Sequence, residues 1–161
     1  TDGLDDSKKL STVQRENLFN ALVSSPEVSY GIGAASVSEI ERYNILTATY
    51  TAMRRALESL HETPDTALID GNQLPADLPC AGRAVIKGDS LSLSIAAASI
   101  FAKVTRDRIM TSLSQRYPGY YWDRNAGYGT KQHQDGLAAL GVTCHHRHTY
   151  GPIAKILSLE D

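Results

Sequence analysis

Ala67-Leu68-Ile69-Asp70, followed at once by Gly71-Asn72, is an apolar run that ends in an acid and a turn. Bounded by Pro64 on one side and Gly71-Asn72 on the other, it reads as a buried strand over residues 66–70. A second acid, Asp107, sits in the run Ala96-Ala97-Ala98-Ser99-Ile100-Phe101-Ala102-Lys103-Val104-Thr105-Arg106-Asp107, which reads as part of a helix over about residues 93–116. In α/β sheets ligand clefts form where strand ends meet helices. Carboxylates at such places are costly to desolvate unless a positive group compensates, and a divalent cation is the usual one. Asp70 and Asp107 are therefore expected to converge on a common ion.

Working outward, Ser11-Thr12-Val13-Gln14 reads as a capping box opening a short helix that carries Leu18, Ala21 and Leu22 and stops before Pro26. Residues 28–35 alternate loosely and predict a strand weakened by its glycines. Ser36-Val37-Ser38-Glu39 is a second capping signal, and Leu46, Tyr50, Met53, Leu57 and Leu60 then recur at the spacing of one long amphipathic helix. A Pro-rich loop over residues 73–82 leads to another predicted strand, residues 84–87. On the Asp107 helix the expected core stripe is Ile95, Ala98, Ala102, Ile109 and Leu113. A glycine-punctuated loop over residues 123–130 precedes a short helix over residues 131–140, closed by Gly141. Strands alternating with helices predict an α/β domain with a mixed sheet. The domain reading is a single unit over residues 1–161, with a helical C-terminal segment from about residue 131.

The 161 residues carry a net charge of −2, so the chain is not a global polycation, and any nucleic-acid contact must come from a local basic face. Cys80 and Cys144 lack metal-ligand spacing and read as reduced thiols. The most apolar stretch, residues 95–102, is too short to span a bilayer, and no membrane partner is expected.

On a helix, Ser99, Lys103 and Asp107 follow one another at four-residue steps with Arg106 alongside. That face is a hydroxyl, two cations and a carboxylate, or simply a solvated surface with a Lys–Asp pair. Oxygen donors without a His or Cys set suit Mg2+ or Mn2+ rather than Zn2+. Carboxylates with nearby cations are what phosphodiester hydrolysis needs. At least one more acid is expected; Asp89, in Lys87-Gly88-Asp89, reads as a loop residue. His145, His146 and His148 beside Cys144 do not complete a zinc tetrahedron and take a structural or phosphate-facing role. Tyr128, between Gly127 and Gly129, either packs on its own domain or lies flat against a sugar or base.

Taken together, Asp6-Ser7-Lys8-Lys9-Leu10, Leu68-Ile69-Asp70-Gly71-Asn72, Lys87-Gly88-Asp89, the helix run ending at Asp107, Gly127-Tyr128-Gly129-Thr130 and His145-His146-Arg147 resemble bacterial ribonuclease HII, in the family's order. The resemblance implies a ribonuclease H-like fold, a mixed five-stranded sheet flanked by helices. It implies hydrolysis of RNA–DNA hybrids and cutting 5′ of single ribonucleotides in duplex DNA, leaving 5′-phosphate and 3′-hydroxyl ends. It further implies Mg2+ or Mn2+ as cofactor and a cytoplasmic monomer acting in DNA repair. By position, Asp70 and Asp107 resemble metal-binding carboxylates and Tyr128 the tyrosine that packs on the sugar. Lys8, Lys9, Lys87, Lys103 and Arg106 fall in motifs lining the nucleic-acid face.

The family opens with a strand bearing an Asp-Glu pair and a Gly-Arg-Gly loop, and neither motif occurs here, where the first residue is Thr1. The expectation is a fragment of a longer product, lacking its N-terminal catalytic strand. The rival expectations are a non-catalytic hybrid-binding remnant and a nuclease of the same fold with another substrate, such as a junction resolvase.

Overall fold

The computed structural model describes residues 10–158. Its elements run α1 (Thr12–Ser24), α2 (Val37–Tyr43), α3 (Ile45–Glu58), β1 (Thr66–Asp70), β2 (Ala81–Val85), α4 (Gly88–Leu91), α5 (Leu93–Arg116), α6 (Trp122–Asn125), α7 (Lys131–Leu140) and α8 (Gly151–Leu157). The described residues divide into two compact units, one of residues 10–35 with Leu46–Val104 and one of Ser36–Ile45 with residues 105–158.

In the first unit β1 and β2 pair in parallel, with Asp70 opposite Val85. Parallel pairing puts both carboxyl ends at one edge of the sheet, so whatever follows β2 lies beside Asp70. Among the described residues the sheet has these two strands, where the sequence suggested a larger mixed sheet. β2 begins three residues earlier than predicted. Residues 28–35 form no strand among the described residues. Gly31 and Gly33 instead press against α3: a Cβ on Gly33 would collide with the Ala52 carbonyl and the Ala56 amide. Arg55 Nη1 donates to the Ala34 carbonyl at 2.7 Å, so the segment is held by a helix rather than by a ladder.

Ser11 caps α1 and Ser36 caps α2, each in a full capping box with Gln14 and Glu39. The capping signal at Ser36 and the helical spacing from Leu46 onward fall on two helices, α2 and α3, parted at Asn44, whose φ of 79° and ψ of 166° lie outside helical geometry. On α5 the buried face is Ile95, Ala96, Ile100, Phe101 and Val104, not the expected stripe through Ala98, Ala102 and Ile109. Ala96, Ile100 and Val104 form a core onto which Leu10, Leu18, Phe19 and Leu22 pack, and Tyr30 stacks on Phe101 with ring centroids 4.5 Å apart.

The second unit is built on Tyr120, Trp122, Leu137 and Ile153. Thr130 caps α7 by accepting from the His133 amide, and Gly141 ends it with φ 76°. The final apolar segment is the helix α8. No helix among the described residues is long and apolar enough to cross a membrane.

Candidate functional site

Asp70 is the last residue of β1 and is exposed. Its Oδ1 accepts a hydrogen bond from the Gly88 amide at 2.8 Å. Gly88 follows Lys87, which holds a left-handed conformation (φ 55°) and turns the chain from β2 into α4. A Cβ on Gly88 would crowd the Cδ1 end of Ile95 and lie 3.4 Å from Asp70 Oδ1, so this backbone packs closely against both. The contact ties the strand-end acid to the Lys87-Gly88-Asp89 motif. Asp89, read from sequence as a loop residue, is thereby one residue from Asp70's partner, half-buried in the first turn of α4.

Asp107 lies on the half of α5 that belongs to the second unit, half-buried, with its Oδ1 4.0 Å from Arg106 Nη1. Lys103 is half-buried on α5 and Lys87 is exposed. Ser99, expected on the same polar face, donates its hydroxyl proton to the Ala96 carbonyl of its own helix. Lys8 and Lys9 lie outside the described residues.

Tyr128 is 61% exposed. The Arg106 guanidinium lies over its ring, 4.8 Å from the centroid, and Arg106 Nη2 donates to the Ala126 carbonyl at 2.6 Å. Behind the loop stands a buried network that sequence reasoning missed. Trp122 Nε1 donates to His133 Nε2 (3.2 Å), and His133 Nδ1 contacts the Tyr128 carbonyl (3.0 Å). His146 Nε2 is 3.1 Å from His133 Nε2, while the Thr143 amide donates to His146 Nδ1 at 3.0 Å. Indole N–H and amide N–H only donate. Hence His133 carries its proton on Nδ1 and His146 on Nε2, both rings neutral. Burial, then the neighbouring His133, His145 and His148, lower the His146 pKa to about 4. Burial also raises the pKa of Tyr120, whose hydroxyl donates to the Gly141 carbonyl at 2.9 Å. The one signal for His133 was its place on α7 four residues before Leu137, on the helix's apolar side.

Among the described residues no three His, Cys, Asp or Glu side chains group as a ready metal cage. The donors at the β1 end are carboxylate oxygens, with no His or Cys in the Lys87-Gly88-Asp89 motif; this donor chemistry fits a hard divalent cation.

A family model described as Ribonuclease HII matches residues 1–151. The chain belongs to the ribonuclease HII family. That family comprises metal-dependent endoribonucleases with ribonuclease H activity. The Ribonuclease HII of Rhodospirillum rubrum is 57% identical over 155 residues, covering 96% of this chain and 71% of that protein. The Ribonuclease HII of Granulibacter bethesdensis is 55% identical over 156 residues, covering 97% of this chain and 71% of that protein. The crystal structure of the ribonuclease H2 from Pyrococcus horikoshii OT3 is similar with a TM-score of 0.80 at 25% identity, covering 98% of this chain and 81% of that one. The ribonuclease H-like α/β fold expected from the sequence motifs is thus the fold of the chain.

Proposed function

We propose that this ribonuclease HII chain serves endonucleolytic hydrolysis of the RNA strand of RNA–DNA hybrids, and of the phosphodiester 5′ to single ribonucleotides in duplex DNA, giving 5′-phosphate and 3′-hydroxyl ends. The observation that carries this reading is the hydrogen bond from the Gly88 amide to Asp70, which joins two motifs distant in sequence. Asp70 and Asp89 are proposed as metal-binding carboxylates at the strand end, and Asp107 as a further metal-binding carboxylate on α5. Mg2+ or Mn2+ held by such oxygens would supply an activated water and a clamp on the leaving oxygen. The Gly88 amide fixes Asp70 in one orientation, so that carboxylate is set before any ligand arrives.

Lys8, Lys9, Lys87 and Lys103 supply the cations that neutralise phosphate on the nucleic-acid face, which Arg106 completes. Tyr128 lays its ring on the sugar, a contact that tolerates any base. Only the 2′-hydroxyl marks a lone ribonucleotide among its DNA neighbours, so a rigid sugar platform serves that substrate well. The working form is read as a cytoplasmic monomer without a membrane partner.

The test is nicking of duplex DNA carrying one ribonucleotide, with Mg2+ or Mn2+, for Asp70→Asn, Asp89→Asn and Asp107→Asn, with binding measured in parallel. Each substitution is expected to abolish nicking while leaving substrate bound. Undiminished nicking by Asp70→Asn overturns the metal reading. Undiminished nicking by Asp107→Asn alone removes that residue and leaves the Asp70–Asp89 pair.

A further inference from the structure

Two residues grip the Tyr128 loop from different sides, and the chemistry above gives one of them, His133, no task. Arg106 meets the ring face through its guanidinium and the Ala126 carbonyl through Nη2. Ala126 has φ 47°, a left-handed conformation that a non-glycine residue keeps only where its surroundings impose it. His133 reaches the other end, its Nδ1–H donating to the Tyr128 carbonyl. That ring is itself locked: Trp122 and His146 both donate to its Nε2, which leaves Nδ1 as the protonated nitrogen. His133 and His146 are 5% and 6% exposed, so this is a built support rather than a surface contact.

We propose that His133 and Arg106 are positioning residues that hold Tyr128 in its sugar-stacking pose before substrate binds, His133 through the backbone and Arg106 through the ring. Arg106 thus serves the nucleic-acid face by way of Tyr128 rather than by pairing with a phosphate. The inference rests on Tyr128 being the sugar contact. Pre-ordering the ring removes an entropic cost from the binding step, which is how rigid aromatic platforms gain affinity.

The experiment is a double-mutant cycle on binding of a fluorescent duplex carrying one ribonucleotide, measured by anisotropy in Ca2+ over a salt series. Tyr128→Ala is expected to weaken binding about tenfold, within the range for losing one aromatic stack. His133→Leu and Arg106→Met are each expected to cost about threefold or more in the parent and nothing further in the Tyr128→Ala background. Arg106→Met is expected to leave the slope of log K against log salt unchanged, whereas loss of a phosphate contact lowers it by about one. His133→Asn, which keeps an N–H donor near the place of Nδ1, is expected to restore parental binding. Losses that persist undiminished in the Tyr128→Ala background, or a reduced salt slope for Arg106→Met, overturn the positioning roles while leaving Tyr128 as the contact. Parental binding by Tyr128→Ala overturns the underlying reading and this inference with it. Should His133→Leu fail to fold by circular dichroism, Arg106→Met, at a side chain 43% exposed, carries the same cycle.

Discussion

His146 takes part in the second unit's core as a neutral ring, with its Nδ1 accepting from the Thr143 amide. A histidine whose folded pKa lies at about 4 rather than 6.5 resists protonation that the unfolded chain accepts. Above about pH 6.5 both states are neutral at this ring and it adds no pH dependence. As pH falls from there towards 4 the unfolded state gains the proton first, so stability drops. Below about 4 both states are charged and the loss levels off. The full difference is about 3 kcal/mol. Urea unfolding at pH 7 and pH 4.5 is expected to show most of this loss, and His146→Asn to flatten the dependence across that window. At this same scale the place of Asp70 at a strand end was legible because an apolar run ending in an acid and a turn reads as a strand that stops there. Asp89 was not, because Lys-Gly-Asp is ordinary turn chemistry until the β1–β2 register places it beside a strand end. Beyond its helical spacing to Leu137, nothing local pointed to His133, because its partners, Trp122 and His146, stand 11 and 13 residues away along the chain.

Helix ends were the most legible elements. Both capping boxes and the span of α7 from its Thr130 cap to Gly141 follow from local hydrogen-bond chemistry, which needs no tertiary context. Faces and ladders were less so. The buried face of α5 depends on what packs against it, and residues 28–35 alternate like a strand while lying on α3. Their glycines give a direct check. In Gly33→Ala the new methyl meets backbone atoms of Ala52 and Ala56, which cannot move aside. In Gly88→Ala it meets the flexible end of Ile95. Overpacking costs about 1–3 kcal/mol, and Gly33→Ala is expected at or above the top of that range with Gly88→Ala below it. Thermal denaturation of the two variants decides the order, and the reverse order refutes the packing account.

Across the whole chain a net charge of −2 means that attraction to a polyanion is local and limited in number of contacts. With Lys8, Lys9, Lys87 and Lys103 proposed on phosphates and Arg106 on Tyr128, log K for duplex binding is expected to fall against log salt with a slope of about −4. Anisotropy titrations between low and moderate salt measure it, and a slope near zero removes the cationic face. Fold class followed from α/β alternation and ordered motifs, whereas the composition of the sheet did not, because strand pairing is a property of register rather than of pattern. The chain has a single tryptophan, and that residue is Trp122, whose indole N–H ends on His133. Its emission therefore serves as a label-free optical gauge of the loop's foundation. A spectral change on adding a ribonucleotide-bearing duplex would report strain reaching that buried tier, and a silent spectrum would mean that Tyr128 meets its sugar without disturbing what lies beneath it.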